Sequence, residues 1–333
     1  MTIQDALTLY NLPYVVTATT NSGNFTIYHL QAAGAQATIN RLSARLQDIS
    51  ASCGLDLELL QDRTGISLRS KNSNLIYDWF NYNGYIDFTD INSPFIVGMG
   101  SNGIITDTID HCPHLLIAGT TGSGKSVFLH SFLTTMICNP INQIGVIDCK
   151  RVEFSMYRDY INIAYDVFGE QSAACMTASI VYMMQERYKL MERLGVNNFK
   201  DLLRHRPDIK RVILIIDELA ELLQDKQSKK IIMPRLLSIA QLGRAAGIHL
   251  IAATQRPDTK IINGTLKANI PTRCAFHSIT NTDSRVILDR GGAERLTGNG
   301  DMLYLRNGAQ SLERIQALYI NPDQIKHDIL KVA

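Results

Sequence analysis

The sequence HLLIAGTTGSGKS, from His114 to Ser126, contains a complete G-x-x-x-x-G-K-S phosphate loop. An apolar run typical of a buried strand leads into it, and Val127 opens a predicted helix after it. The glycines let backbone N–H groups close around nucleotide phosphates, where the helix N-terminus adds a positive dipole end. The predicted nucleotide-binding residues are therefore the run Gly119, Thr120, Thr121, Gly122, Ser123, Gly124, Lys125, Ser126 and Val127.

Two side chains of this loop have separate expected tasks. The Lys125 ammonium can reach the β and γ phosphates, and the Ser126 hydroxyl can hold Mg²⁺. The sequence therefore predicts that a nucleoside triphosphate binds here with Mg²⁺.

A second apolar run, RVILII from Arg211 to Ile216, ends in Asp217 and Glu218. A phosphate-loop enzyme needs such carboxylates beside its loop. Asp217 is expected in the Mg²⁺ shell, and Glu218 can take the proton of the attacking water. The alternative is that the acidic end only caps the following helix.

A third buried run, Ile248–Thr254, leads to Gln255, which is expected at the edge of the sheet where ligands bind. Gln255 can then contact the γ phosphate or the attacking water, or it is a solvated loop residue. Arg244 lies at the end of the preceding helix. It can reach a neighbouring subunit's site as an arginine finger, or it can bond the last helix carbonyls.

Length, composition and charge limit the classes of protein to which this chain can belong. The 333 residues favour two domains, and a hydrophobic fraction of 45% favours a globular chain. The first 95 residues carry five Lys/Arg against eight Asp/Glu, so the rest of the +2 chain is basic and favours a polyanionic partner. Six scattered cysteines indicate free thiols in a reducing compartment. No run is long enough to span a bilayer, so we expect a cytoplasmic protein.

The pattern of elements predicts an α/β protein with a small N-terminal α+β domain. Residues 1–95 give two strands around the turn signal at residues 21–23, a helix over 37–52 and two more strands. From residue 96 to 333, strands and helices alternate, which favours a parallel sheet covered by helices. Predicted strands there are 114–118, 143–148, 211–217, 249–254, 272–278 and 301–305. Predicted helices follow Gly124 and span about 172–194 and 229–246.

Several blocks of this sequence resemble the FtsK/SpoIIIE family of DNA translocases. They occur in the family's order and cover about Pro113 to Leu305, and the N-terminal module resembles the α subdomain of that family more weakly. The blocks are the phosphate loop with its strand, ERYKLM (186–191), AQLGRAAGIHLIAATQRP (240–257), KANIPTR (267–273), DSRVILD (283–289), GGAE (291–294) and GDMLYL (300–305).

The resemblance implies a RecA-like P-loop ATPase motor that assembles as a homo-hexamer, hydrolyses ATP between subunits and drives double-stranded DNA through a central channel. It implies ATP as the nucleotide, Lys125 and Ser126 on phosphate and Mg²⁺, and Asp217 with Glu218 as the Walker B pair. Arg244 becomes the candidate finger, with Arg285 as runner-up. Gly291 to Glu294 are expected near the nucleotide base.

Loops that grip DNA without reading its sequence need positive charge, because they mainly contact phosphates. The candidates are Arg256, Lys260 and Lys267, after the strand that ends at Thr254; the alternative for each is an ordinary solvated basic loop. The sequence shows neither the membrane helices nor the winged-helix module of full-length family members. We therefore expect a free-standing motor core, suited to a phage, plasmid or other mobile element.

Two other functions stay open. The ring can be a DNA packaging or conjugative coupling ATPase that depends on a portal, recombinase or secretion partner. It can also be a non-motor protein that uses ATP as a switch for oligomerisation, although Glu218 argues against this because a pure switch needs no general base.

Overall fold

The computed structural model describes residues 1–22, 25–34, 36–55, 57–62, 65–71, 77–150, 152–160, 169–321 and Ile325. These fall into two compact units, one of residues 1–76 with 99–103 and one of residues 77–98 with 104–333. The predicted boundary lies after residue 95, whereas Tyr77 to Gly98 belong to the second unit. The reason is hydrophobic burial, since Trp79, Ile86 and Phe95 lie in the core of that unit.

The first unit is a four-stranded antiparallel sheet with three short helices. Its elements are α1 (Ile3–Leu9), β1 (Tyr14–Ser22), β2 (Phe25–Ala32), α2 (Ile39–Ala44), α3 (Leu46–Cys53), β3 (Leu57–Asp62) and β4 (Gly65–Lys71). The sheet order is β1-β2-β4-β3. Leu7, Leu42, Ile49 and Leu68 are fully buried in its core. The predicted hairpin is present, although Gly23 and Asn24 lie outside the described residues.

Two helical features of this unit differ from the prediction. The single helix expected over 37–52 is broken at Arg45, whose φ of −103° and ψ of 5° are not helical, so α2 and α3 are separate. The helix α1 was not predicted. Its N-cap Thr2 and Asp5 form a capping box, a signal that the sequence carries.

The second unit is built around a nine-stranded sheet in the order β6-β5-β13-β12-β11-β7-β10-β9-β8. The strands are β5 (Pro94–Gly100), β6 (Gly103–Thr108), β7 (His114–Ala118), β8 (Asn142–Ile147), β9 (Arg211–Ile216), β10 (Ile248–Thr254), β11 (Thr272–Phe276), β12 (Asp301–Leu305) and β13 (Glu313–Gln316). Strands β8, β9, β10, β7 and β11 run parallel, while β12 is antiparallel to both β11 and β13. All six predicted strands of this unit are present, and β5, β6 and β13 were not predicted.

Helices cover both faces of this sheet. They are α4 (Trp79–Tyr82), α5 (Lys125–Cys138), α6 (Gly169–Leu194), α7 (Phe199–His205), α8 (Leu219–Leu222), α9 (Lys226–Leu242), α10 (Gly264–Asn269) and α11 (Asn281–Leu288). Alternate strand residues enter different cores, which is why the central strands are apolar throughout. Leu116 and Leu214 face the core that includes Leu236 of α9, whereas Ile117 faces the core that includes Phe128 of α5.

Among the described residues, no helix is both long and apolar enough to cross a membrane.

Candidate nucleotide-binding site

The phosphate loop lies between β7 and α5, where Gly122 (φ 77°) and Gly124 (φ 100°) adopt left-handed backbone conformations. Within the described part of the chain, the backbone N–H groups of Gly122 and of residues 124–127 have no acceptor in the protein. Converging free N–H groups at a helix N-terminus form a ready site for phosphate oxygens. The predicted loop therefore has the donors that a nucleotide requires.

Neighbouring backbone fixes the shape of this loop. The N–H of Gly300 donates to the carbonyl of Ser123 at 2.8 Å. A Cβ on Gly124 would lie 2.3 Å from the nitrogen of Gly300, and a Cβ on Gly119 would lie 2.4 Å from the Cβ of Phe276. A side chain at either position would collide with its neighbours, so both positions require glycine. The contact between the turn before β12 and the phosphate loop was not predicted, although Gly300 and Asp301 belong to one of the family-like blocks.

The ammonium of Lys125 lies 3.3 Å from both the carbonyl oxygen and Oδ1 of Asp217. Both residues are buried, with exposed fractions of 2% and 3%. Burial raises the pKa of Asp217, and the positive charge of Lys125 opposes that shift. A cation beside Asp217 would favour its charged form in the same way. Asp217 and Ser126 supply oxygen ligands of the kind that Mg²⁺ prefers.

Glu218 is buried, and both of its carboxylate oxygens accept hydrogen bonds from the end of β10. The Thr254 hydroxyl donates to Oε1, and the N–H of Gln255 donates to Oε2 at 2.7 Å. Oε1 also accepts from the N–H of Ala220 at 3.3 Å, so Glu218 caps α8. Glu218 therefore does cap the following helix. Its bonds to Thr254 and Gln255 also hold the carboxylate at the edge of the sheet where the phosphate loop lies. Thr254 was not among the predicted site residues.

Gln255 lies beside the phosphate loop, where its Oε1 accepts a hydrogen bond from the Thr121 hydroxyl at 3.0 Å. It also lines a cavity of about 200 Å³ with Gly119, Thr120, Arg256, Pro257, Ser278, Ile279 and Asp283. The side chain is thus placed to contact a group bound at the loop.

Glu153, in the loop after β8, is a site residue that the sequence did not indicate. Its Oε1 lies 3.5 Å from Nε2 of His130 on α5. The pKa of Glu153 is lowered to about 2, chiefly by the hydrogen bond from His130 and also by Ser126 and the charge of Lys125, although burial opposes the shift. No local motif marks a glutamate in a loop for this position.

The two candidate finger residues are exposed and lie elsewhere on the second unit. Arg244 precedes β10 and so lies at the opposite edge of the sheet from the phosphate loop, where its Nη2 donates to the carbonyl of Asp110 at 3.2 Å. Arg285 lies on α11. In the segment expected near the base, Glu294 accepts hydrogen bonds from Asn281 and from the N–H of Gly292.

The three candidate DNA contacts differ in their surroundings. Arg256 and Lys260 are exposed. Lys267 lies on α10, where its ammonium pairs with Asp289, which also pairs with Arg273. The Lys267 side chain is 16% exposed. Because Lys267 is paired with Asp289, its charge is already partly neutralised within the fold.

The model of the FtsK/SpoIIIE family matches residues 89–259. The DNA translocase FtsK of Staphylococcus aureus is 38% identical over 253 residues, which are 71% of this chain and 32% of that protein. The DNA translocase FtsK of Helicobacter pylori is 37% identical over 279 residues, which are 80% of this chain and 32% of that protein. The chain thus spans about a third of the length of the curated relatives it matches.

Solved structures show a similar fold. The pCW3 conjugation coupling protein TcpA, solved as a monomer with ATPγS, has a TM-score of 0.71 at 23% identity and covers 99% of this chain and 98% of its own. The cytoplasmic domain of the Thermomonospora curvata Type VII secretion ATPase EccC has a TM-score of 0.65 at 18% identity, over 78% of this chain and 35% of its own. The predicted α/β fold of RecA-like P-loop ATPases is confirmed, and so is the family resemblance. Family and fold together place the chain among the P-loop ATPases.

Proposed function

Because the chain belongs to the FtsK/SpoIIIE family, we propose that it is the motor part of a DNA translocase, which hydrolyses ATP and moves double-stranded DNA through a ring of subunits. The observation that carries this proposal is the convergence of Lys125, Asp217, Glu218 and Gln255 on one edge of the parallel sheet. Phosphoryl transfer depends mainly on positioning and on electrostatic stabilisation, and these residues can supply both.

Each of these residues has a proposed role in ATP hydrolysis. The free N–H groups of the loop and Lys125 bind the phosphates, while Ser126 and Asp217 hold Mg²⁺, which neutralises phosphate charge when bound. Glu218 orients the attacking water and accepts its proton, within reach of the loop because of its bonds to β10. Gln255 contacts the γ phosphate or that water.

The roles that involve other molecules follow from family membership. We assign Arg244 to the site of a neighbouring subunit in a hexameric ring, with Arg285 as the alternative, because both side chains are exposed. Arg256 and Lys260 are exposed cations in the segment after β10 and can contact DNA phosphates. Lys267 is the weakest of the three DNA candidates because it is paired with Asp289.

Steady-state ATP hydrolysis by the purified protein tests this function, with and without long linear double-stranded DNA, at two salt concentrations. Stimulation by DNA that falls at higher salt is expected, because phosphate contacts release counterions. Lys125→Ala protein is the control for contaminating ATPase. Movement would then be measured by displacement of a triplex-forming strand from the DNA.

Equal rates of ATP hydrolysis with and without DNA would contradict an ATP-driven motor that acts on DNA. If activity then appeared only after a portal, recombinase or secretion protein was added, the packaging or coupling function would replace the proposal.

A further inference from the structure

We propose that Thr254 is a positioning residue that couples DNA contact to ATP hydrolysis, because its hydroxyl ties the Glu218 carboxylate to the backbone of residues 255–260. This inference rests on the proposed function, which assigns hydrolysis to Glu218 and DNA contact to Arg256 and Lys260 in that segment. Thr254 acts through the carboxylate and contacts neither ATP nor DNA itself.

The backbone of Thr254 is fixed where β10 meets the phosphate loop. Thr254 is fully buried, and it pairs with Ala118 at the end of the neighbouring parallel strand β7. Its carbonyl accepts a hydrogen bond from the N–H of Gly119 at 3.3 Å. Because β-branched side chains have restricted χ1 rotamers, the hydroxyl has a defined direction as well.

The Thr254 hydroxyl makes one bond to each of the two groups that it connects. It accepts a hydrogen bond from the N–H of Arg256 at 3.1 Å and donates to Oε1 of Glu218. The Arg256 carbonyl also lies 3.1 Å away, but the hydroxyl has one proton and a charged carboxylate is the stronger acceptor. A path of two hydrogen bonds therefore leads from the backbone of Arg256 to the carboxylate.

These bonds also determine where water can meet Glu218. A carboxylate offers about four acceptor sites. Oε1 accepts from the Thr254 hydroxyl and from the N–H of Ala220, and Oε2 accepts from the N–H of Gln255. With only the described residues counted, one site on Oε2 is left for the attacking water. A shift of the carboxylate by Thr254 would move that site and change the rate of hydrolysis.

The far end of the segment 255–260 is anchored in the second unit. Ile261 and Ile262 are buried, and their N–H groups donate to the carbonyl of Asp258 at 3.0 and 2.8 Å. The ammonium of Lys229, on α9, donates to the carbonyl of Lys260 at 2.7 Å. The side chains of the segment are thus carried by backbone that is held at both ends.

Pro257 stiffens the near end of the segment. Its ring fixes φ at about −65°, and the residue before a proline is restricted to extended conformations. The backbone of Arg256 therefore has little freedom of its own, while the side chains of Arg256 and Lys260 are exposed. A polyanion that displaces these two cations moves the backbone with them, and the Arg256 N–H passes the displacement to the Thr254 hydroxyl.

The test compares ATP hydrolysis with and without saturating double-stranded DNA in Thr254→Val protein, whose side chain has the same shape without the hydroxyl. Coupling between two sites is typically about 5- to 150-fold, so the ratio of the two rates should fall at least about fivefold towards 1. The KM for ATP and the affinity for DNA should stay within about twofold, because the phosphate loop and the exposed cations remain.

Two matched variants separate this role from general structural damage. Thr272→Val removes another fully buried threonine hydroxyl, one without a hydrogen-bond partner in the described part of the chain, and should keep the wild-type ratio. Thr254→Ser retains the hydroxyl and should retain the ratio too. An unchanged ratio in Thr254→Val, or an equal loss in Thr272→Val, would overturn the inference.

Pro257→Gly tests the same route without altering Thr254 or Glu218. Glycine frees the backbone between the hydroxyl and the exposed cations, so the ratio of the two rates should fall in the same direction. An unchanged ratio in this variant would contradict the inference even if Thr254→Val protein did not fold.

The wild-type protein tests the proposed function separately. Equal rates with and without DNA in the wild type would contradict the DNA motor and, with it, any coupling through Thr254. Stimulation by DNA of equal size in the wild type and in Thr254→Val would refute only the role of Thr254.

Discussion

The backbone N–H of Gln255 donates a hydrogen bond to Oε2 of Glu218 at 2.7 Å. This bond joins the residue after β10 to the second residue after β9. Since the Gln255 side chain also accepts from Thr121, a path of two hydrogen bonds connects the phosphate loop to the proposed general base. A displacement of the phosphate loop would therefore shift Gln255 and, through it, Glu218.

Glu218→Gln should abolish turnover while nucleotide binding remains. A general base contributes roughly 10²- to 10⁴-fold to a rate, so kcat should fall by at least about 100-fold. The amide can still cap α8, so the fold should be kept. The measurements are steady-state ATP hydrolysis and equilibrium nucleotide titration. Glu221→Gln, which removes an exposed carboxylate from α8, is the control and should change neither value. Normal hydrolysis by Glu218→Gln would exclude the assigned role.

Gly124→Ala should impair folding and nucleotide binding more than Gly122→Ala does. Both positions have positive φ, which costs a residue with a Cβ about 1–2 kcal/mol. Only the Cβ at position 124 would also collide with Gly300; at position 122 no heavy atom lies within 4 Å. Thermal unfolding and nucleotide titration of the two variants measure the difference. Equal effects would show that the contact with Gly300 is unimportant.

Arg244→Ala protein alone should hydrolyse little ATP, whereas a mixture with Lys125→Ala protein should regain part of the activity. At some mixed interfaces an intact loop from one subunit would meet an intact arginine from its neighbour. The same mixture with Arg285→Ala protein is the matched comparison. Rescue by the Arg285 variant alone would move the finger role to that residue.

Lys260→Ala should weaken DNA binding and reduce its salt dependence, whereas Lys267→Ala should not. Loss of one phosphate contact lowers the slope of log K against log salt by about 1 for each contacting subunit. Lys267 is held by Asp289, so its removal should affect stability instead. Fluorescence anisotropy with labelled double-stranded DNA at several salt concentrations gives both slopes. Identical slopes for Lys260→Ala and wild type would remove Lys260 from the interface.

Acidification should destabilise the protein through His114. Burial, assisted by the charge of Arg244, lowers its pKa from 6.5 to about 3. The unfolded chain therefore binds a proton that the folded chain does not, and stability falls as pH decreases from about 6.5 towards 3. His114→Asn can keep an acceptor for the N–H of Leu250 but cannot titrate.

For this variant, the slope of unfolding free energy against pH should be smaller by up to about 1.4 kcal/mol per pH unit. Chemical denaturation at several pH values between 7 and 5 measures the slope. Parallel curves for the two proteins would mean that His114 is not the group that titrates. His249, whose pKa is also lowered by burial, should account for part of the slope that remains.

Local sequence was sufficient for the central architecture. Apolar runs predicted the six strands from β7 to β12, because strands buried on both faces need apolar side chains throughout. The phosphate loop and the pair Asp217-Glu218 were recognisable because their chemistry depends on neighbours in the chain. The ordered family-like blocks indicated the family that the comparisons confirm.

Contacts between distant parts of the chain supplied the rest. Glu153 lies near His130 of α5 because Asp148 accepts a hydrogen bond from the N–H of Phe154, whose buried ring packs against the His130 ring. Lys267 resembles any other loop lysine until folding brings Asp289 to it. The ionisation of Glu153 and the availability of the Lys267 charge depend on burial and on partners from other elements. These are properties of the packed chain, so no local pattern of residues encodes them.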